Sequence, residues 1–322
     1  MLFALTAFAV VAGAWVLFTY AGPGPASKPT TVVLERGSGV TGIADDLAKA
    51  GLIRSKAVFL AFVQLTGAGK RLQAGEYEFK PRASMAGIMS DIREGRVVKH
   101  YVTVPEGWTS DMALEAVMKQ PVLVGEAQAP PEGALLPDTY QVQRGDARQA
   151  VLQRMVEAQD RLMAELWPKR AADLPFSTPD EAVTLASIVE KETGVAAERP
   201  RIAAVFVNRL RSGMRLESDP TIIYGISKGR PLGRGILASE IAAATAYNTY
   251  QIAGLPPTPI ANPGRASIEA VLNPPKTTEL FFVANGKGGH VFASTFDEHQ
   301  RNVANWRAVE RQQAAAAARG GR

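Results

Sequence analysis

Two carboxylates, Glu190 and Glu192, close the segment LASIVEKETG (185–194), directly after a run of apolar residues. Ser177-Thr178-Pro179-Asp180-Glu181 precedes that run and reads as a helix start: Thr178 as N-cap, Pro179 at the first helical position, and Glu181 completing a capping box. Gly194 suits the position just past the helix end. At about 100° per residue, Ala182, Val183, Leu185, Ala186, Ile188 and Val189 share one face, and Glu190 and Glu192 fall on its opposite edges. The two acids therefore cannot enter one cleft. A carboxylate in the last turn also faces the negative end of the helix dipole, at roughly 0.3–1 kcal/mol, and with partial burial this pushes its pKa upward. A raised pKa is what a general acid needs near neutral pH.

Other chemistries find little support. The chain has no cysteine, which removes disulfides, thiol nucleophiles and thiolate-held metals. His100, His290 and His299 are the only imidazoles, and no HExxH occurs, so neither a metal nor another cofactor is expected. Gly67-Ala68-Gly69-Lys70-Arg71 fails as a phosphate loop, because Gln64 stands where the first glycine belongs and Arg71 where Ser or Thr is needed. No GxSxG is present. Net charge is +5, from 36 basic and 31 acidic residues spread along the chain, and no nucleic-acid motif accompanies it. Nucleic acid is not an expected partner.

The 322 residues are 46% hydrophobic and 21% charged, an ordinary globular composition long enough for one large domain or two modest ones. Met1 to Gly22 carries no charge, and its length matches the roughly 20 residues that cross a bilayer as a helix. A basic n-region and a good cleavage site are both missing, so an uncleaved anchor is expected rather than a signal peptide. The positive-inside rule leaves its orientation open, since no Lys or Arg precedes the span. GPGPASKP (22–29) reads as an extended, solvated linker.

A strand, a turn and an amphipathic helix then recur: 31–35 with 39–50, 77–79 with 84–94, and 101–104 with 109–119. The spacing is too irregular for a solenoid. Thr31 to Phe79 reads strand, helix, helix, strand, an order that resembles a LysM-like glycan-binding module. Its helical faces (Ile43, Leu47, Leu52; Val58, Phe59, Phe62, Leu65) would be apolar merely to build a core. From Ala150 helices dominate: 150–167, 179–193, and 198–212 with Ile202, Val205, Phe206 and Leu210 as its buried stripe. Beyond Gly213, Tyr, Asn, Thr, Pro and Gly accumulate in loops that suit the walls of a sugar groove, though plain turn chemistry explains the same composition. Residues 280–284 and 290–292 flank a Gly-rich reversal and read as a hairpin in which His290 is structural. The last helix, 296–313, runs out into an Ala/Gly-rich tail with no assigned function.

Five blocks taken together, LLPDTY (135–140), LASIVEKETG, ERPRIAAVFVNRLRSGMRLESDPTIIYG (198–225), TAYNTYQIAGLPPTPIANPG (245–264) and LFFVANGKGGHVFASTFDEH (280–299), resemble the MltG (YceG-like) endolytic murein transglycosylase family. The likeness runs from about Thr31 to Arg307, the N-terminal part matching in layout only. It implies an α+β chain: a transmembrane anchor at 1–22, a linker at 23–30, a LysM-like βααβ region at 31–104, a mixed helical and β catalytic domain with a groove at 105–310, and a tail at 311–322. It also implies a location at the cytoplasmic (inner) membrane, single-pass, with the catalytic part outside. The expected partners are peptidoglycan strands, the membrane and, as candidates, peptidoglycan synthases.

The activity the resemblance implies is cleavage of nascent glycan strands between MurNAc and GlcNAc, leaving 1,6-anhydro-MurNAc ends and ending strand elongation. Hydrolases need paired carboxylates, whereas such a lyase can use one, acting first as acid and then as base toward the sugar's own C6 hydroxyl. The helical wheel does not choose between Glu190 and Glu192; the family pattern chooses Glu192 as the catalytic residue. Glu190 is then structural, with Arg199 or Arg209 as partner. Ser218, Asp219, Tyr224, Tyr247, Asn248, Thr249 and Tyr250 are the candidate contacts to substrate, with Asp138 and His290 behind them. Two alternatives stand beside this reading: a non-catalytic wall-binding or scaffold protein, and a two-carboxylate hydrolase using Glu192 and Asp219.

Overall fold

The computed structural model describes residues 2–320; Met1, Gly321 and Arg322, and with the last two the end of the expected tail, lie outside the described residues. In chain order the elements are α1 (Leu2–Ala21), β1 (Thr30–Leu34), α2 (Val40–Lys49), α3 (Lys56–Thr66), β2 (Gly75–Phe79), α4 (Met85–Glu94), β3 (His100–Thr103), α5 (Ser110–Met118), β4 (Thr139–Val142), α6 (Arg148–Leu166), α7 (Pro179–Glu192), α8 (Arg199–Arg211), α9 (Asp219–Ser227), α10 (Ala238–Ala242), α11 (Arg265–Leu272), β5 (Phe281–Ala284), β6 (His290–Ala293) and α12 (Phe296–Gly320). The class is mixed α+β. Two compact units divide the chain: one holds the residues up to Tyr101 with Pro121–Val124 and Gln141–Ala147, the other holds Val102–Gln120, Gly125–Tyr140 and everything from Arg148 onward.

In the first unit, α1 is long and apolar enough to cross a membrane, by length and composition, over Phe3–Ala21. It leaves Phe3, Phe8 and Trp15 exposed, while Val16 and Tyr20 pack on the unit's core. β1 and β2 pair antiparallel, from Thr30 opposite Phe79 to Leu34 opposite Gly75. With α2 and α3 between them in sequence they give the expected strand-helix-helix-strand order. Leu34, Leu47, Phe59, Tyr77, Phe79 and Ile88 form the buried centre. Ser55 caps α3 by accepting from Val58 N at 3.3 Å, and Ser84 caps α4 by accepting from Gly87 N at 3.1 Å.

Two expectations change here. Leu65 is 80% exposed rather than part of the core, because it lies with Ala57 and Ala61 on the exposed side of α3. The linker is not free: Gly24 N donates to Arg82 O at 3.0 Å and Arg82 N donates to Ala26 O at 2.7 Å. A Cβ at Gly24 would come within 2.2 Å of Ala83 O, so only glycine allows that approach.

The second unit is built around α7, whose residues 182–189 are all buried. One apolar face was expected; residues on every side of the helix are buried instead, with α8, α9 and α11 packed against it and Ile260 N donating to Ser187 Oγ. Its two polar residues in that stretch are satisfied locally, Thr184 Oγ1 donating to Asp180 O at 2.8 Å and Ser187 Oγ to Thr184 O at 2.7 Å. The N-terminus carries the expected capping box between Thr178 and Glu181. The C-terminus differs from expectation. Thr193 is extended (φ −141°) and ends the helix, and Gly194 adopts no left-handed conformation. Thr193 Oγ1 instead accepts from Val195 N at 2.9 Å.

α9 occupies a stretch read from sequence as loop, α11 falls on residues given no assignment there, and α12 continues through the alanine run to Gly320 instead of ending at Gln313, as the high helix propensity of alanine allows. β5 and β6 form the expected hairpin, with Phe281 opposite Ala293 and Ala284 opposite His290.

Candidate active site

The last turn of α7 sends its two acids to different surroundings. Glu190 has a carboxylate only 5% exposed. It lies 3.2 Å from the Arg199 guanidinium and accepts from Gly264 N at 3.0 Å and Ser267 Oγ at 2.7 Å. Both oxygens of that carboxylate are engaged, Oε1 by Arg199 and Oε2 by Gly264 and Ser267, so it ties α7 to α8 and to the start of α11.

Among the described residues Glu192 has one hydrogen-bond partner, Ser218, whose Oγ donates to Oε1. It opens on a cavity of about 440 Å³ lined also by Arg209, Glu217, Asp219, Tyr250, Phe282 and His299. Burial pushes its carboxyl up to about 7; the charge of Asp219 adds to that, while the Ser218 bond and the Arg209 charge act against it. At neutral pH the group is thus divided between its acid and base forms.

Several interactions fix Ser218. It is the N-cap of α9, and its backbone N–H donates to Thr249 Oγ1 at 2.9 Å. Thr221 Oγ1 donates to Ser218 O at 2.6 Å and lies 2.9 Å from Thr249 Oγ1. Glu217, one residue before, has φ +52°, a left-handed conformation that a non-glycine residue holds only when its neighbours enforce it. Arg209 supplies that enforcement: its Nε donates to Leu280 O at 2.6 Å, and one terminal nitrogen reaches Leu216 O at 2.9 Å and Glu217 Oε2 at 3.2 Å. Across the cavity Tyr250 OH donates to Asp219 Oδ1 at 2.8 Å.

Of the residues singled out from sequence, the structure therefore brings Ser218, Asp219 and Tyr250 to Glu192. Thr249 is fully buried and acts on Ser218 from behind. Asn248 is buried, with its amide nitrogen spent on the carbonyls of Glu240, Ile241 and Ala243 at 2.7–3.1 Å, so it holds its own loop. Tyr224 and Tyr247 form a separate cluster, rings 5.0 Å apart, with Tyr224 OH on Glu132 at 3.2 Å and Tyr247 OH 2.8 Å from Thr258 Oγ1. Asp138 is exposed and accepts from the next residue's N–H. His290 is held by Glu198, which accepts from its N–H at 2.8 Å and lies 2.7 Å from its Nδ1. Among the described residues no cluster of three His, Cys, Asp or Glu side chains could hold a metal.

Residues 32–305 match the YceG-like family across most of the chain. The chain belongs to the YceG-like family. It is 29% identical to an endolytic murein transglycosylase of Streptococcus pneumoniae D39 over 86% of this chain and 58% of that protein. It is equally 29% identical to an endolytic murein transglycosylase of Bacillus subtilis 168, over 85% of this chain and 84% of that one. The chain thus spans 58% of the length of the pneumococcal relative. A crystal structure of a YceG-like protein from Listeria monocytogenes superposes with a TM-score of 0.54 at 28% identity, covering 85% of this chain and 98% of that one.

In this YceG-like chain, sequence reasoning missed Arg209, Glu217 and His299 as walls of the Glu192 cavity. Arg209 had been a possible partner of Glu190; it turns the other way. A buried arginine on the flank of an otherwise apolar stripe was the available signal for it, whereas nothing in the sequence marks the left-handed turn at Glu217. His299 stacks on Phe281 with ring centroids 5.1 Å apart, and burial lowers its pKa from 6.5.

Proposed function

We propose that this chain is a membrane-anchored endolytic murein transglycosylase in which Glu192 is the proton-transferring group. The observation that carries the reading is the buried Glu192 carboxyl at the wall of a polar cavity, hydrogen-bonded by Ser218 and with its pKa pushed up to about 7 by burial. The names of the relatives and the family match support the substrate class. The apolar α1 supports the anchor, with the catalytic unit on the outer side. The strand-helix-helix-strand order of the first unit supports a LysM-like glycan contact, and peptidoglycan synthases are partners this placement favours.

The chemistry follows from the hydrogen bonds. Because Ser218 donates to Oε1, the acidic proton belongs on Oε2. Glu192 gives that proton to the glycosidic oxygen as the C1–O bond of MurNAc breaks, and the positive charge developing on the sugar is met by Asp219 and by the carboxylate just formed. The same carboxylate then takes the proton of the C6 hydroxyl while O6 bonds to C1, closing the 1,6-anhydro ring. The proton returns to Glu192 and no water enters.

A two-carboxylate hydrolase is the second reading, since Asp219 shares the cavity. Incubating the detergent-solubilised chain with purified peptidoglycan and weighing the new ends by mass spectrometry decides between them. Anhydro ends lost in Glu192→Gln support the lyase; reducing ends, heavier by one water, support the hydrolase; and intact strands with the wild-type chain leave the scaffold reading in place.

A further inference from the structure

The first unit holds an unpartnered apolar surface beside α1. Ala57, Ala61 and Leu65 recur every fourth residue along α3 and are all exposed, Leu65 at 80%. Other residues of α3 line an open, mainly apolar hollow of about 610 Å³, Leu60, Val63 and Gln64 meeting Val40, Gly67 and Lys70 there. A soluble domain gains nothing from leaving such a stripe and hollow facing water.

α1 shows what covers them. Its ring Tyr20 stacks on Phe62 of α3 with centroids 3.6 Å apart and planes within 3°, and Val16, one turn earlier, packs on the same core. The apolar stretch Phe3–Ala21 has 19 residues, about 28 Å of helix against a hydrocarbon core of about 30 Å. If this stretch is the span, all of it is needed at bilayer depth, including its last turns, where Val16 and Tyr20 pack on the core of the first unit. Whatever stacks on Tyr20 then lies at the headgroup boundary, and Leu65 is three residues from Phe62 on the same helix. The charges agree with that level. Arg54 and Lys56 at the start of α3 and Lys70 and Arg71 just past its end are exposed; among the described residues Lys56 pairs with Asp45, and Arg54 donates to Pro23 O at 3.2 Å. A rim of cations around an apolar helix face is the pattern of a helix lying on an anionic membrane surface.

We propose that α3 rests on the lipid bilayer through Ala57, Ala61 and Leu65, so that the first unit is held against the membrane by two contacts, the span and this face. The proposal rests on the anchor reading of α1, and its test separates the two. The chain has no cysteine, so a single introduced cysteine takes an environment-sensitive fluorophore at one place only. The full chain carrying Leu65→Cys, Phe8→Cys or, on the exposed edge of β2, Glu78→Cys is reconstituted in nanodiscs of equal parts phosphatidylcholine and phosphatidylglycerol, with nitroxide-labelled lipid as quencher. The expected result is strong quenching and a blue-shifted emission at positions 8 and 65, and neither at 78. Quenching at 8 without 65 keeps the anchor and overturns the α3 contact. Quenching at neither position overturns both, and quenching at 78 equal to that at 65 overturns the α3 contact by showing unspecific adsorption.

Discussion

Glu190 and Glu192 are two residues apart on one helix, yet one is a structural bolt and the other is chemically poised. The difference lies in what each meets. Glu190 meets a guanidinium, a backbone N–H and a hydroxyl, a set that compensates a buried charge. Glu192 meets a single hydroxyl, a cavity and the like charge of Asp219, a set that leaves its ionised form under-compensated. The 200° that separates two residues along a helix is enough to send them into opposite surroundings. A carboxylate's role is thus decided by its partners, and the stability of one supports the instability of the other, since α7 must be fixed before its last residue can be aimed.

The largest effect expected from this contrast is on turnover. Glu192→Gln keeps volume and the Ser218 contact but removes the transferable proton, so glycan cleavage falls by about 10²–10⁴-fold, with little change in thermal unfolding at pH 5. Glu190→Gln does the reverse. It leaves Arg199 with Glu106 as its remaining carboxylate partner, 3.1 Å away, and weakens the bonds to Gly264 and Ser267, lowering stability by about 1–3 kcal/mol as read by denaturant unfolding, while activity per folded molecule holds. If both variants lost activity without losing stability, the division of labour between the two acids would be wrong.

How far sequence carried this contrast differs between the two ends of α7. The start was legible because a capping box is local: Thr178, Pro179 and Glu181 need only each other. The separation of Glu190 from Glu192 was legible because it follows from helical geometry. Which acid met a cavity was not, because Arg199, Ser218 and Arg209 arrive from other helices. The strands and helices of the first unit were legible for the same reason of locality, whereas α11 was hidden by its shortness, eight residues opening at Gly264 with no side-chain cap. Its Ile268, Val271 and Leu272 show helical spacing only in retrospect. The loop residues divided likewise: Asp219 and Tyr250 face the cavity, while Asn248 and Thr249 are drawn inward by carbonyls and hydroxyls that composition cannot reveal.

A smaller effect sharpens the Glu192 side. The Ser218 bond favours the ionised carboxyl, so Ser218→Ala removes a term that lowers the pKa and moves the alkaline limb of the pH–rate profile upward, by about one unit or less. In the wild type that limb falls as pH rises through about 7, where the acid form is lost. Stability follows the same group with a definite sign. The folded pKa lies above the ordinary 4.5, so the protonated carboxyl contributes stability that is fully present below pH 4.5 and is lost as pH rises through about 7. Glu192→Gln, which cannot ionise, should therefore gain melting temperature relative to wild type above pH 7 and gain none at pH 4. A limb that does not move in Ser218→Ala would detach that hydroxyl from the titration.

The smallest effect tests whether the two ends of α7 are independent. Thr178→Ala removes the side chain that accepts from Glu181 N at 3.2 Å and leaves one of the first-turn donors without its partner. The expected loss is about 1 kcal/mol, a fall in melting temperature of about 2–4 °C for a unit of this size. Fourteen residues lie between Pro179 and Glu192 inclusive, and α8 and α11 hold the helix over most of that length, so a frayed start should not reach the cavity. Cleavage rate and the position of the alkaline limb should then match the wild type at temperatures well below melting. A shift of that limb in Thr178→Ala would mean that the cap sets the register of the whole helix, and that the surroundings of Glu192 are tuned from its far end as well as by the residues that line its cavity.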